Sequence, residues 1–137
     1  MASVQAVAGL DAIAAVIASG ANPPSWLGQP RFYRDGEVPT SAVPPYILLG
    51  QVVEDPAGFY SRPGSTATYR QHHWAPTYSN ALRLYAWYFS LMHDQEIAIS
   101  GHLAWQCKVK LVGKGTDPTS TAQQAISETT LETVATA

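Results

Sequence analysis

The sequence predicts an α+β fold, in which a mainly antiparallel sheet packs with two helices in a single domain. Two segments, residues 4–19 and 78–92, place apolar side chains at helical spacing. Over residues 103–112 apolar and polar side chains alternate, as in an antiparallel strand with one solvated face. The chain has 137 residues, a length typical of one domain.

The first predicted helix covers residues 4–19. Leu10, Ile13 and Ile17 lie on one apolar face, and Ser3 is a suitable N-cap. Gly20, followed by an Asn-Pro-Pro segment, ends the helix. An amphipathic helix of this kind typically covers one face of a sheet.

Two strands are predicted next. A short strand over about 31–34 is followed by the turn signal Asp35-Gly36. The Pro-Pro pair before Tyr46 favours an extended entry into a strand over 45–53. The centre of that strand is apolar on both faces, which predicts that it is buried.

Residues 54–65 are predicted to form an irregular loop, because prolines and glycines recur through them. The loop carries Phe59, Tyr60 and Arg62, residue types that are enriched where proteins touch. Two interpretations remain open. Either the two aromatic rings fold back onto their own domain, or they form an arm that contacts another subunit.

A strand over 66–74, rich in Thr, Tyr and Trp, ends at a proline, which has no N–H for a ladder. The helix predicted over 78–92 is apolar on almost every side, and Trp87 and Phe89 lie off its main stripe. A helix with so little polar surface is buried on more than one side. In a domain this small, we expect another subunit to supply the second side.

The last strands are predicted over 103–112 and 129–135. Cys107 lies on the apolar side of the first strand, and we interpret it as a small core residue rather than a nucleophile. Lys108 and Lys110 are either solvated or bound to an acidic neighbour. The Thr-rich C-terminal segment fits a helix in its first part and a strand in its β-branched second part.

Composition limits the function classes. Charged residues make up 13 % of the chain, against about 25 % in typical proteins. The net charge of −2 gives no basis for nucleic-acid binding through phosphate contacts. The single cysteine excludes an internal disulfide. No basic residue precedes Arg31 and no apolar run reaches about 20 residues, so we expect a soluble, intracellular protein without a secretory signal or membrane span.

No catalytic, metal or cofactor site is predicted. His72 and His73 are adjacent, so on a strand they point to opposite faces and do not ligate one metal together. His93 and His102 have no partner at ligand spacing. The sequence contains neither a GxSxG turn nor a glycine-rich phosphate loop.

Short cues run through most of residues 5–118, and these are Tyr33, Pro39, Pro45, Tyr46, Leu49, Gly50, Trp74, Asp117 and Pro118. In the order of these residues along the sequence, the chain resembles the tail terminator (tail completion) proteins of long-tailed bacteriophages. The resemblance implies a virion protein of the tail and neck that is assembled in the host cytoplasm. It also implies a ring, expected to be a hexamer, that caps the tail tube and ends its elongation. The implied partners are other copies of the chain, the tail tube protein and a neck or head-completion protein, with no cofactor.

A cyclic ring requires one surface patch to match a different patch on the neighbouring copy. The residues that we expect in these patches are Phe59, Tyr60, Arg62, Trp87, Phe89, Lys108 and Lys110. Two other function classes stay open. One is a neighbouring virion component, such as a head-completion or tail tube protein. The other is a small ligand-binding or enzymatic domain with a cleft beside Trp74 and His73.

Overall fold

A computed structural model describes residues 5–59, 62–117 and 121–135. The elements are α1 (Gln5–Ser19), β1 (Phe32–Arg34), β2 (Tyr46–Phe59), β3 (Arg62–Ala75), α2 (Tyr78–Met92), β4 (His102–Thr116) and β5 (Gln123–Ala135). The five strands form one sheet in the order β1-β2-β3-β5-β4. β1 is parallel to β2, and the other neighbouring strands are antiparallel. The predicted α+β fold of a single domain with two helices is confirmed.

Both helices pack on the same face of the sheet, which we call the helix face. Tyr69 on β3 and Leu131 on β5 are buried there, together with Ile13 of α1 and Tyr88 of α2. Because side chains alternate along a strand, Trp74 and the other even-numbered residues of β3 lie on the opposite face. No described helix covers that face, which we call the open face.

The prediction of an irregular loop over residues 54–65 is wrong. β2 and β3 instead continue to Phe59 and Arg62 as one long antiparallel hairpin. The prolines do not prevent this pairing because of where they lie in the sheet. Pro56 is on the stretch of β2 beyond β1, at a sheet edge, and Pro63 precedes the first residue of β3 that pairs with β5. Proline is tolerated at such positions since no ladder bond there requires its N–H.

The alternation predicted for β4 is interrupted by a bulge. Between Ala104 and Gln106 the register with β5 shifts, so one extra residue, Trp105, is inserted. Its side chain lies outside the described residues. An inserted residue moves the following side chains to the opposite face. Leu103, which an uninterrupted alternation would place on the same apolar face as Cys107, is therefore 57 % exposed, whereas Cys107 is buried.

β5 begins earlier than the strand predicted over 129–135. The preceding residues, for which a helix was an open alternative, are also strand, and β5 lies between β3 and β4. Ser127, Thr129 and Thr133 face the helices and are buried. Because these core positions are polar, the hydrophobicity pattern does not reveal the first part of the strand.

The two helices have identifiable ends. Thr77 caps α2, since its hydroxyl oxygen accepts a hydrogen bond from the Asn80 N–H at 3.2 Å. At the C-terminus of α1 the Arg31 guanidinium donates to the carbonyl oxygens of Ile17 and Gly20, both at 3.0 Å. A cation at this end of a helix satisfies carbonyl groups that have no intrahelical partner.

We expect Gly9→Ala to destabilise the protein by about 1–3 kcal/mol, although alanine favours helix. A Cβ on Gly9 would lie 2.0 Å from the Tyr69 hydroxyl oxygen and 2.7 Å from its Cζ. Urea unfolding measures the loss, and Gly28→Ala is the control because nothing lies within 4 Å of a Cβ there. Adding Tyr69→Phe, which removes the hydroxyl, should restore part of the stability. A Gly9→Ala variant as stable as the wild type would contradict this packing.

Candidate intersubunit surface

Trp87 lies in the core of its own protomer. Its side chain is 7 % exposed, and its Nε1–H donates to the Ala21 carbonyl oxygen at 2.9 Å. The Arg31 guanidinium carbon lies 5.7 Å from the centre of its ring. The segment after α1 therefore covers the side of α2 that the sequence analysis assigned to another subunit. Since Trp87 presents almost no surface, it has no part in the interface proposed below.

Phe89 is half-buried and belongs to a row of three aromatic rings on α2. Its ring stacks on His93 with centroids 4.3 Å apart and lies 6.0 Å from Tyr85. We call Tyr85, Phe89 and His93 the aromatic row. The sequence analysis identified only Phe89 of the three, although their spacing of four residues is the signal that places them on one side of a helix.

The aromatic row covers part of the free edge of β4. The Val109 N–H donates to His93 Nδ1 at 3.0 Å, and the Asp94 N–H donates to the Cys107 carbonyl oxygen at 2.9 Å. The backbone of Leu111 also lies close to the Tyr85 hydroxyl. Unpaired backbone groups at a sheet edge invite pairing with another strand. With these groups occupied, another subunit at this part of the edge would make side-chain contacts rather than add a strand.

The two predicted interface lysines are exposed on the open face near the same edge. Lys108 Nζ forms an ion pair with Asp94 Oδ1, and this hydrogen bond lowers the pKa of the Asp94 carboxyl group. Lys110 has no carboxylate within ion-pair distance among the described residues. Its cross-strand neighbour Glu128 binds Arg70 instead, with a nitrogen–oxygen distance of 2.9 Å. Lys110 therefore carries a charge available to a partner.

The predicted interface residues at the hairpin tip are only partly described. The backbones of Phe59 and Arg62 pair with each other. Their side chains, and the whole of Tyr60, lie outside the described residues. The prediction that these three residues contact another subunit therefore stays a prediction.

A cleft opens on the open face beside Trp74. Its volume is about 470 Å³, and it is lined by Thr40, Ala42, Val43, Pro44, Tyr46, Leu48, Trp74, Asp117 and Ala122. His73 is fully buried on the helix face. Trp74 and His73 therefore do not share a cleft, contrary to the alternative considered from the sequence.

A buried polar network, which the sequence analysis missed, joins α2 to the sheet. The Ser127 and Thr129 hydroxyls both donate to Gln71 Oε1 at 3.0 Å. Because each hydroxyl has one proton, Ser127 accepts from His73 Nε2 at 2.8 Å and Thr129 accepts from the Tyr88 hydroxyl at 2.6 Å. All five side chains are fully buried, so the network stabilises packing and has no access to a substrate.

His73 is held neutral in this network. Burial is the main cause, followed by the neighbouring His72, and together they lower its pKa from 6.5 to about 3. Since Nε2 carries the proton, Nδ1 is the remaining basic atom, and it has no hydrogen-bond partner among the described residues. Protonation there would place an uncompensated charge in the core.

The described residues offer little chemistry outside this network. Burial, followed by the carboxylate of Asp94, raises the pKa of the Cys107 thiol to about 11, so the reactive thiolate is disfavoured. Within the described ranges, no group of three or more His, Cys, Asp or Glu side chains is arranged to hold a metal ion. Neither helix has the length and apolar character needed to cross a membrane, as far as the described residues extend.

Comparisons with known proteins find a structural likeness but no sequence match. No protein-family model matches the chain, and no curated protein matches it. Among solved structures, it is similar to a chain of the "Virion of native gene transfer agent (GTA) particle". The match has a TM-score of 0.83 at 11 % identity and covers 96 % of this chain and 98 % of that chain. At this identity the likeness shows the fold.

Proposed function

We propose that the protein is a structural component of a phage-like virion. The observation that carries this proposal is the likeness in fold to a chain of a gene transfer agent virion, because it extends over nearly the whole of both chains. Fold alone does not determine function. A second line of support comes from the sequence cues, which resemble a virion protein family.

Within this class we propose the role of a tail terminator. Copies of the chain form a ring, expected to be a hexamer, that caps the tail tube, ends its elongation and joins the tail to the neck of the head. Such a ring works through shape and complementary interfaces and requires no catalysis or cofactor. The exposed lysines of β4 and the half-exposed ring of Phe89 support this role, because they offer contacts beside an edge whose backbone groups are partly occupied.

Tail tubes growing from purified tube protein test the role directly. Added protein should bind one end of each tube and stop its growth, as seen by negative-stain electron microscopy with a label on this chain. Incorporation along the whole tube would instead indicate a tube protein. Binding to filled heads but not to tubes would indicate a head-completion protein. Either outcome would reject the terminator role.

Phe89→Ala is expected to weaken ring assembly by about 2 kcal/mol per interface, the cost of truncating an aromatic anchor. Native mass spectrometry across a dilution series measures this change. Arg83→Ala is the matched control, since Arg83 is exposed on the same helix. If the two variants dissociate equally, Phe89 does not contribute to the interface. If the Phe59→Ala and Tyr60→Ala variants form an intact ring in the same assay, the hairpin tip is not part of the interface.

A further inference from the structure

The charges of this chain are distributed unevenly between the two edges of its sheet. All three lysines, Lys108, Lys110 and Lys114, lie on β4, which is the last strand at one edge. The opposite edge, formed by β1 with the turn after it and by β2, carries four carboxylates, Asp35, Glu37, Glu54 and Asp55. Its one cation on β1, Arg34, is already paired with Asp11 of α1. We call these the basic edge and the acidic edge. In a chain with so few charges, this separation is a feature that a head-to-tail contact between copies can use.

The basic edge also contains carboxylates, but they do not neutralise all of it. Asp94 and Glu96 lie in the segment before β4, and Asp94 is bound to Lys108. Lys114 lies 5.5 Å from the centre of the Tyr78 ring. Within the described part of the chain, neither Lys110 nor Lys114 has a carboxylate partner. The basic edge therefore keeps positive charge that its own protomer does not pair.

The strand register puts opposite charges at similar heights on the two edges. One row of paired residues crosses the sheet through Val53, Thr68, Thr130 and Lys108. The adjacent row on the same face crosses through Asp55, Thr66, Glu132 and Gln106. Lys108 and Asp55 are thus one diagonal step apart in height, a separation that a lysine side chain spans.

A second row brings Lys110 into the same relation. Leu49 and Leu111 end one row at the two edges. The Asp35 N–H donates to the Leu49 carbonyl oxygen at 2.8 Å, which places Asp35 at the end of that row on the acidic edge. Lys110 precedes Leu111 on the basic edge. Asp35, Asp55 and Lys110 are all exposed, so each is accessible to another copy.

We propose that the acidic edge of one copy binds the basic edge of the next, with Asp35 facing Lys110 and Asp55 near Lys108. This inference rests on the proposed ring and names the two surfaces that close it. The two surfaces are different patches of the same chain, as a cyclic arrangement requires. A rotation about an axis along the strands keeps each row at its height, so it brings the matched charges of neighbouring copies together.

The contact is made by side chains. β2 and β4 run in opposite directions, because each step from β2 through β3 and β5 to β4 is antiparallel. The strand directions would therefore allow β2 of one copy and β4 of the next to form a continuous antiparallel ladder. Hydrogen bonds with His93 and Asp94 already occupy backbone groups of β4. We therefore expect the two copies to bind through ion pairs between side chains at this edge.

Charge reversal tests the proposal. Lys110→Glu and Asp35→Lys, made singly, should each raise the protein concentration at which the ring half-dissociates by about tenfold or more, because like charges then meet. The double variant Asp35→Lys/Lys110→Glu should return to within about threefold of the wild type. An equimolar mixture of the two single variants should also form rings, with the variants alternating. Arg83→Glu, an exposed reversal on α2, should leave the ring unchanged.

The readout separates this inference from the proposed function. Dissociation is measured by native mass spectrometry, and urea unfolding of each variant establishes that it folds. A wild-type ring that neither single reversal weakens, or weakened single variants without rescue in the double variant, would overturn the edge pairing and leave the ring intact. A wild type that stays monomeric with and without tail tubes would overturn both.

Discussion

Replacing Trp87 with alanine is expected to lower the free energy of unfolding by about 3–5 kcal/mol, the usual cost of emptying a large aromatic site in a core. The ring is almost completely buried, and its Nε1–H donates to the Ala21 carbonyl oxygen. Alanine would leave a cavity between α2 and the end of α1, an unpaired carbonyl group, and Arg31 without the ring beside it. Urea unfolding of the protein at a concentration where it is monomeric measures the loss.

Two further variants separate packing from surface effects. Trp87→Phe keeps most of the apolar volume and loses the hydrogen bond, so it should cost less than Trp87→Ala. Val7→Ala is a control, since Val7 on α1 is 62 % exposed and should change stability by less than about 0.5 kcal/mol. If Trp87→Ala leaves the free energy of unfolding unchanged but dissociates the ring, Trp87 belongs to the interface rather than to the core.

His73 is expected to make the fold sensitive to acid. Its pKa is about 3 in the folded protein and near 6.5 when exposed. Between these values the unfolded chain binds a proton that the folded chain does not bind. Stability therefore falls as the pH is lowered through 6.5 and continues to fall until about pH 3. From pH 8 to pH 5 this one group should remove about 2 kcal/mol from the free energy of unfolding.

The measurement compares urea unfolding at pH 8 and pH 5 for the wild type and for His73→Gln. Glutamine does not titrate, so the variant should lose about 2 kcal/mol less than the wild type over this range, whatever its absolute stability. His102→Gln is the control, since it replaces a histidine that lies outside the buried network. Identical pH dependence in the wild type and His73→Gln would show that His73 is not held neutral.

The sequence pattern predicts the fold best where burial and periodicity agree. The helix over 78–92 and the strand containing Cys107 and Val109 show their periods because one face of each is apolar. The fold class follows from these elements and from the turn signals between them. The pattern predicts position less well, since a single inserted residue at Trp105 places Leu103 on the open face, and no local composition announces that bulge.

The remaining features depend on neighbours that are distant in the chain. Pro56 and Pro63 indicate a loop locally, and only their places at the margins of the sheet allow them in strands. Ser127 and Thr129 resemble solvated positions until Gln71, His73 and Tyr88 are seen to complete their hydrogen bonds. The charged edges emerge in the same way, because the strand order places β2 and β4 at opposite sides of the sheet.

The mass of the protein in solution tests the central claim most directly. Native mass spectrometry or light scattering should find one discrete ring-sized oligomer, or a monomer that becomes this oligomer when tail tubes are added. The same ring should remain at one end of each tube after free protein is removed. A protein that stays monomeric at all concentrations and does not respond to tail tubes would contradict the account.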